Sequence, residues 1–317
     1  MKPVRLFLIL ILLLFSLTAG AGARIAAAAD FPPITDAERA LTSVSGEPNA
    51  PAVVLFKKGE FRMSGYKSGA FYPYFRVQAR VKILTEEGKS SGEISVGHNE
   101  FERLQSFEAR TVLPDGRVIP VPREAKFRRR LSRSARYYTT VVAFPAVEVG
   151  AILDYSYELK FDFSSIPDPW FFSEEIPVLS SEMIYLLPRE VHARIWTRDP
   201  FQVGIQRETH ESSRGAELRA WAQNLPSIPD DPYGPPHGDL ATQIMMLPTA
   251  ISTEFAHLRL GESWSNICKL MEEDYGRVRR RDGGVAKKSR EIAASGTPVE
   301  KAKALYRFVR DEIQTAP

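Results

Sequence analysis

One stretch, residues 151–163, alternates so regularly that it limits what this chain can fold into. Its sequence, AILDYSYELKFDF, has apolar or aromatic side chains at every odd position and polar ones at every even position after Ile152. Only an extended strand sends successive side chains to opposite faces, so the pattern predicts a strand with one face on a core and its polar face toward water. The core-facing residues would be Leu153, Tyr155, Tyr157, Leu159 and Phe161.

Further short strands, separated by turns, extend this prediction over most of the chain. The clearest, at 75–83, alternates apolar and mostly cationic residues, as a half-buried antiparallel strand does. Pro114, Asp115 and Gly116 predict a hairpin turn, because proline fixes φ and glycine tolerates a positive φ. Strands without intervening helices favour an antiparallel sandwich over βαβ units. The other predicted strands are 53–56, 93–96, 105–112, 118–121, 137–144, 178–187, 191–197, 204–209 and 216–222.

The pattern changes after Pro226. Prolines and glycines predict a proline-rich linker over 226–260, and the apolar spacing beyond it becomes helical. Thr297 to Glu300 reads TPVE, a capping box with proline in the first turn, which predicts a last helix. The fold class predicted is therefore mainly β, an antiparallel β-sandwich followed by a proline-rich linker and a small helical C-terminal segment. The apolar stripe of the last helix consists of Val299, Ala302, Leu305, Tyr306, Val309 and Ile313.

The first residues have the order of a secretory signal peptide. Lys2 and Arg5 precede an apolar run at 6–15, and small A-x-A residues follow. We therefore expect a signal peptide at 1–23, a lead segment at 24–51, a β-sandwich domain at 52–225 and a helical segment at 261–317. This predicts export to the periplasm or cell envelope, or secretion. The alternative is an uncleaved anchor that reaches Ala29, which would be the one route to membrane attachment.

Composition limits the function classes. Of 42 basic residues, Lys2 and Arg5 leave with the signal peptide, so that 40 remain against 39 acidic ones, which gives no case for nucleic-acid binding. The single cysteine, Cys268, allows no internal disulfide and is not placed for a lipid anchor.

Candidate catalytic residues are sparse. Cys268 could act as a nucleophile with one of five histidines, but it shares a helical face with Trp264 and Met271, which predicts a small buried hydrophobe instead. The histidines occur singly, so no metal or other cofactor is expected. His237 lies near several aspartates of the proline-rich segment and could form a weak cation site, although solvated loop carboxylates are the simpler interpretation. We predict that the chain as given is not an enzyme.

Two arginine-rich clusters and one aromatic group are candidate binding residues. The clusters could hold an anionic polymer or lipid head groups, or could simply be solvated surface. Trp170, followed by two phenylalanines, could face a carbohydrate or plug the end of the sandwich. The first cluster is Arg128, Arg129, Arg130, Arg133 and Arg136, and the second is Arg277, Arg279, Arg280, Arg281, Lys287, Lys288 and Arg290.

Six short segments in a fixed order form a recognisable pattern: 81–88, 109–116, 144–155, 176–178, 221–226 and 263–264. Together they resemble a bacterial family, the exported domain of unknown function that directly precedes transglutaminase-like domains. In that family the following helices lead into a transglutaminase-like core, and 301–313 resembles its opening helix. The resemblance implies that the catalytic cysteine, histidine and aspartate would lie beyond Pro317, so Cys268 cannot replace the nucleophile.

The leading hypothesis is an exported non-catalytic module, an accessory or substrate-presenting part of a truncated transglutaminase-like protein of the cysteine acyl-transfer or peptidase type. It predicts an exposed apolar face on the last helix. The alternative is a free-standing envelope binding module for an anionic glycan or protein partner, whose last helix would pack within the chain. The partners considered are an envelope protein, a peptide or an anionic polymer.

Overall fold

The computed structural model describes residues 31–67, 70–99, 101–132, 136–162, 168–228, 231–252, 257–259, 263–265, 267–269, 271–272, 276 and 283–313. The chain divides into a first unit, Met1–Pro33, of which 31–33 are described, and a second, Ile34–Pro317, which holds every element named below. The predicted signal peptide lies outside the described residues.

The described residues are mainly β with a small helical C-terminal segment, which confirms the predicted fold class. The strands are β1 Ala52–Lys67, β2 Ala70–Ile83, β3 Glu93–His98, β4 Glu102–Val112, β5 Val118–Pro120, β6 Lys126–Ser132, β7 Tyr137–Ala143, β8 Ile152–Phe161, β9 Trp170–Phe171, β10 Val178–Pro188, β11 Val191–Arg198, β12 Gln206–Ser212, β13 Gly215–Leu225, β14 Gln243–Ser252 and β15 His257–Arg259. The helices are α1 Asp36–Ala40, α2 His237–Leu240, α3 Gly283–Ile292 and α4 Pro298–Glu312.

The strands form one large sheet and two smaller ones. The large sheet has the order β12-β13-β10-β1-β2-β8-β4-β5, and its neighbours are antiparallel except for the parallel pair β1 and β10. A four-stranded sheet joins β11, β14 and β15, with β9 paired to β14, and a three-stranded sheet has the order β3-β7-β6. Leu153, Val142 and Ile244, one from each sheet, belong to the same buried core. Both smaller sheets therefore pack on one face of the large sheet.

The strand β8 supplies the centre of that core, as its alternation predicts. Leu153, Leu159 and Phe161 are buried, and Tyr155 and Tyr157 are half-buried. The Phe107 ring of β4 stacks on both tyrosines, with ring centroids 6.4 and 6.1 Å apart. Burial raises the pKa of both phenols, so they remain neutral donors.

The expectation that the polar face of β8 looks toward water is wrong for its first half, where Asp154 and Ser156 are buried. Asp154 is 0% exposed and Arg80, its direct neighbour on β2, is 1% exposed. The reason is that the lead segment folds over this face: Val44 packs on apolar residues of β1, and α1 lies above the charged residues. Alternation predicts the strand, but it does not reveal that a distant segment covers the polar side.

Charges beneath the lead segment are neutralised within the protein. Asp154 accepts hydrogen bonds from Nε of Arg80 at 2.7 Å and from Nε of Arg110 at 2.9 Å. Glu38 of α1 accepts from Nη1 of Arg80 at 3.0 Å, and Nζ of Lys82 donates to the backbone carbonyl of Arg39 at 2.8 Å. Isolated buried charges cost several kcal/mol each, so these partners are what allows burial. The cations Arg80, Lys82 and Arg110 are called the sealed set below.

The segment predicted as a linker, 226–260, is only partly irregular. Its residues from Gln243 onward form β14, which pairs along its whole length with β11. The apolar run at 244–247 suits a buried strand, and Pro248 lies beside a register shift, where proline is tolerated. Residues 243–252 therefore belong to a β-sheet of the fold and are not a linker.

The last helix, α4, follows the sequence prediction closely, and α3 precedes it. Thr297 caps α4 with the predicted capping box, and proline occupies its first turn. The two helices contact each other, with Nζ of Lys288 lying 5.7 Å from the Phe308 ring centroid. Tyr306 is 66% exposed and Val309 56%, so the predicted exposed apolar face is confirmed. Among the helices that the structure describes, none is long and apolar enough to cross a bilayer.

Candidate functional site

A cleft of about 510 Å³ opens between the start of β4 and the three-stranded sheet. His98 and Arg130 are both direct neighbours of Tyr138, and Arg128 is the direct neighbour of Thr140. Because residues two apart in a strand share a face, all of these side chains lie on the same side of the small sheet. The cleft is lined by His98, Asn99, Glu102, Arg103, Leu104, Arg128, Arg136, Tyr138 and Thr140.

Tyr138 is the centre of the cationic part of the cleft. The guanidinium carbon of Arg128 lies 4.0 Å from its ring centroid, and that of Arg130 lies 5.9 Å away. A guanidinium that stacks on a ring keeps its N–H donors in its own plane, where they can bind a carboxylate or phosphate in bidentate fashion. Tyr138 therefore orients Arg128 without using its hydrogen-bonding capacity.

His98 contributes a neutral polar group to the inner wall. It is buried, its ring stacks on Tyr138 with centroids 5.8 Å apart, and its Nε2 lies 3.1 Å from Oγ1 of Thr140. Burial, and secondarily the charge of Arg128, lower the pKa of His98 below its ordinary value of 6.5. The imidazole is therefore uncharged at neutral pH, and one of its ring nitrogens can form a hydrogen bond with a ligand.

Arg136 enters the cleft from the turn that leads into β7. Its φ of +46° lies in the left-handed region, which costs a non-glycine residue of order 1 kcal/mol. Arg103 reaches the cleft from β4, and Glu102 is the one carboxylate among the lining residues that the structure describes. Three cations around one carboxylate make this a site suited to an anion.

The structure divides the first arginine cluster. Arg128 and Arg136 line the cleft, and Arg130 shares the face of Arg128. Arg129 lies on the opposite face because β6 is a strand and its side chains alternate. Arg133 lies outside the described residues.

Trp170 cannot face a carbohydrate, because it is 4% exposed. Its ring packs on Gly59, where an added Cβ would lie 2.8 Å from the ring, and its Nε1 donates to Oγ of Ser181 at 3.1 Å. The pairing of β9 with β14 directs the ring into the core. The interpretation of Trp170 as a plug within the sandwich fits the structure.

Cys268, predicted to be a buried hydrophobe, is exposed, as are Trp264 and Met271 of the same helical face. In the described part of the chain, no group of three or more histidine, cysteine or acidic residues is arranged to hold a metal ion. Asp230, part of the cation site considered around His237, lies outside that part. Of the second cluster, Lys287, Lys288 and Arg290 lie on α3, and the residues at 277–281 are not described.

The sequence reasoning missed His98, Arg103 and Tyr138 as site residues. A signal was present for Tyr138, since the predicted strand at 137–144 follows the arginine run after a short turn. Two strands so joined form a hairpin, which would have placed Tyr138 beside Arg128 and Arg130. His98 and Arg103 come from other strands, and a sequence without pairing information gives no signal for them.

Comparison with known proteins gives a fold but no activity. A family model described as "Domain of Unknown Function with solved-structure structure (DUF3857)" matches residues 74–229. A crystal structure from Parabacteroides distasonis ATCC 8503, whose assignment as a protease is provisional, is 13% identical with a TM-score of 0.66. The match covers 84% of this chain and 51% of that one, so this chain spans about half of that protein's length. At this identity the likeness shows the fold alone.

Two weaker structural matches carry no argument about this protein. Leukotriene A4 hydrolase of Saccharomyces cerevisiae is 11% identical with a TM-score of 0.33, covering 65% of this chain and 30% of its own. An M1 zinc metallopeptidase variant of Deinococcus radiodurans is 10% identical with a TM-score of 0.31, covering 67% and 47%. Among curated proteins, none matches the chain significantly.

Proposed function

We propose that this chain is a non-catalytic β module that holds an anionic substrate segment for a cysteine acyl-transfer or peptidase partner. The observation that carries the proposal is the cleft, which Arg103, Arg128 and Arg136 line together with Tyr138, with Glu102 as the one carboxylate among the described lining residues. A ligand carboxylate entering it meets guanidinium donors beside a partly buried wall, where charge-assisted hydrogen bonds are stronger than in water.

The accessory role has two supports. The fold matches half of a longer solved protein whose provisional assignment is to the proteases. In addition, α4 carries an exposed apolar stripe, and a capping box marks the start of this helix. An exposed stripe of this kind suits packing against a further polypeptide. Together with the resemblance to domains that precede transglutaminase-like cores, these features support a module that acts beside a catalytic part of that type.

The remaining parts of the proposal come from the sequence. The predicted signal peptide directs the module to the periplasm or cell envelope, or outside the cell. Its partners would be an envelope protein, a peptide or an anionic polymer, and its near-neutral charge does not favour nucleic acid. It would use no cofactor.

The alternative, a free-standing envelope binding module, shares the cleft and differs at α4. That hypothesis expects the last helix to pack within the chain, whereas Tyr306 and Val309 are more than half exposed. The leading proposal therefore accounts for the exposed face of α4, which the alternative does not explain.

Titration calorimetry with digalacturonate, a small dicarboxylate sugar, tests the cleft at low ionic strength. We expect binding that Arg128→Gln weakens about tenfold, the loss of one charge-assisted hydrogen bond or more. Arg219→Gln is the matched control, since Arg219 is an arginine that also lies over an aromatic ring, Trp221, but on strand β13 of the large sheet. No binding, or an equal loss in both variants, would contradict the proposal.

A turnover assay tests the non-catalytic part. We expect the chain to release no ammonia from a glutaminyl peptide in the presence of an amine. Thiol-dependent release that Cys268→Ala abolishes would contradict the proposal, because the exposed thiol would then be a nucleophile.

A further inference from the structure

A groove of about 400 Å³ lies between the four-stranded sheet and one end of the large sheet. One wall of the groove is β11, and the other consists of β12, β13 and the end of β10. On one side β11 pairs with β14, and in the described part of the chain no strand pairs with its other side. The described lining includes residues of β11 and none of β14, so the groove follows the free edge of β11.

The inner face of the large sheet is partly uncovered in this groove. Leu187, Ala216 and Glu211 are consecutive cross-strand neighbours on β10, β13 and β12, so their side chains share one face of the sheet. Leu187 packs against the core, which identifies this face as the inner one. However, Ala216 is only half-buried and Glu211 is exposed. The four-stranded sheet therefore ends at β11, before it covers the last strands of the large sheet.

The groove has the place and the lining that one further strand needs. Val191, Ala193 and Ile195 alternate along β11 and line the groove with apolar side chains. Neighbouring strands lie about 4.8 Å apart and packed sheets about 10 Å apart, so a strand added to β11 would lie over Ala216 and Leu218 of β13. Its backbone would pair with the free N–H and C=O groups of β11, and its alternate side chains would fill the groove.

The two edge strands at the groove differ in how well they suit such pairing. β12 reads QRETHES, and polar and charged side chains of this kind discourage pairing with a further strand. β11 reads VHARIWTR, which contains no proline, and its groove-facing residues are apolar. An added strand would therefore pair with β11.

Two charges beside the groove indicate which side chains the added strand should carry. Glu211 has no ion-pair partner in the described part of the chain, whereas Arg189 of the same lining bonds to Glu190 at 2.8 Å. Arg194 lies between two groove-facing residues of β11, so it is exposed on the outer face, and no described carboxylate pairs with it. Opposite charges on neighbouring strands stabilise their pairing. The fitting strand has a basic residue on its groove side and an acidic residue on its outer side.

We infer that β11 binds an extended peptide of a partner protein by strand addition. The peptide has apolar residues and a basic residue facing the groove, where the basic residue pairs with Glu211, and an acidic residue facing outward beside Arg194. Backbone hydrogen bonds supply the affinity, and the side chains that alternate along the strand supply the specificity. This surface is separate from the cleft, so the inference goes beyond the proposed function and does not rest on it.

Two synthetic peptides test the inference, TVEVTKT for antiparallel pairing and its reverse, TKTVEVT, for parallel pairing. In a strand, the valines and the lysine of each peptide lie on one side and the glutamate on the other. Titration calorimetry with the full chain should show that one of the two peptides binds. Exchange of its glutamate and lysine should weaken binding about fivefold, because exposed ion pairs contribute modestly. No binding of either peptide at millimolar concentration would overturn the inference.

Methylation of the peptide's amide nitrogens tests the backbone pairing. Every second N–H of an added strand bonds to its neighbour, and the others point away from it. Methylation of one alternate set should therefore weaken binding at least about tenfold, and methylation of the other set less than about threefold. Equal effects of the two sets would overturn strand addition.

Variants of the chain locate the peptide. Glu211→Gln should weaken binding about threefold, and Glu211→Lys should make TVEVTET, or its reverse, bind better than the lysine peptide. The matched control is Glu217→Gln, which removes an exposed carboxylate from the opposite face of β13 and should change nothing. Melting temperatures show whether the variants are folded, and a peptide with glutamine in place of lysine replaces the variants if they unfold. Equal losses for Glu211→Gln and Glu217→Gln would overturn the assignment to the groove.

Sedimentation equilibrium separates a partner's peptide from a second copy of this chain as the occupant. We expect a monomer at the protein concentration of the titrations. A dimer that the peptide dissociates would show that β11 pairs with a second copy, and it would overturn the inference of a partner protein.

Discussion

The protein holds two sets of cations that differ in how their charge is neutralised. The sealed set, Arg80, Lys82 and Arg110, lies under the lead segment and meets carboxylates and a carbonyl of the chain itself. The open set, Arg103, Arg128 and Arg136, lines the cleft, where Glu102 is the one carboxylate in the described part of the lining. Burial demands internal partners because an uncompensated charge there costs several kcal/mol, whereas a solvated cation does not depend on an internal partner.

Removing the charge of Asp154 should have the largest effect. Asp154→Asn leaves the guanidinium of Arg80 buried beside that of Arg110, so we expect a loss of about 3–5 kcal/mol in the free energy of unfolding, measured by urea denaturation. The control is Glu182→Gln, which removes the partner of exposed Arg219 and should cost less than about 1 kcal/mol. Equal losses of unfolding free energy in the two variants would contradict the claim that the buried ion pair contributes more than the exposed one.

In the open set the same kind of change should affect binding and spare stability. Arg128→Gln should weaken digalacturonate about tenfold while changing the free energy of unfolding by less than about 0.5 kcal/mol. Calorimetry and urea denaturation of the same preparation check both values. A loss of stability comparable to that of Asp154→Asn would show that Arg128 is structural.

Glu38, on the rim of the sealed set, should give a smaller and pH-dependent effect. Burial tends to raise its pKa, but hydrogen bonds from Thr35 and Arg80 outweigh burial and hold the pKa below its ordinary value of 4.5. A carboxylate with a lowered folded pKa stabilises the fold above pH 4.5, and this contribution disappears as pH falls through the lowered value. Glu38→Gln should therefore cost about 1 kcal/mol at pH 7. The stabilities of the two proteins should converge as pH falls through the lowered pKa, and a constant difference would contradict this.

His98 links ligand binding in the cleft to pH. Its lowered pKa means that it is neutral above pH 6.5 and gains a proton only as pH falls below its ordinary value. The added charge should tighten digalacturonate binding a few-fold under mildly acidic conditions, while the fold loses some stability because the unfolded chain binds the proton more readily. His98→Gln should abolish this gain, and an unchanged pH profile would exclude His98 from the site.

The smallest effect is expected on α4. Val309→Asp places a charge on an exposed surface, so the melting temperature should hardly change. A large destabilisation, measured by thermal unfolding, would show that this face packs within the chain in solution and would favour the free-standing alternative.

The sequence predicts those parts of the fold that depend on local pattern. The alternation of β8 identifies the core strand, and the turn at Pro114 requires the positive φ that Gly116 adopts, +89°. TPVE at Thr297 marks the start of α4 to the residue. In each case the determining residues are neighbours in the chain, so that one sequence is enough.

Pairing between distant strands is what the sequence leaves open. The cover over Asp154 comes from α1, more than a hundred residues earlier, and alternation looks the same whether or not a face is covered. The arginine run gives one half of the site, but its separation into two faces and its approach to His98 depend on the register of β6, β7 and β3. Trp170 shows the same limit, because its burial follows from the pairing of β9 with β14.

The most direct test of the two sets is hydrogen–deuterium exchange, followed by mass spectrometry, with and without digalacturonate. If the open set binds the ligand, backbone amides in 98–104 and 126–140 become protected, and those of α1 above the sealed set exchange at an unchanged rate. Protection of α1, or no protection around the cleft, would contradict the assignment of the open set as the ligand site.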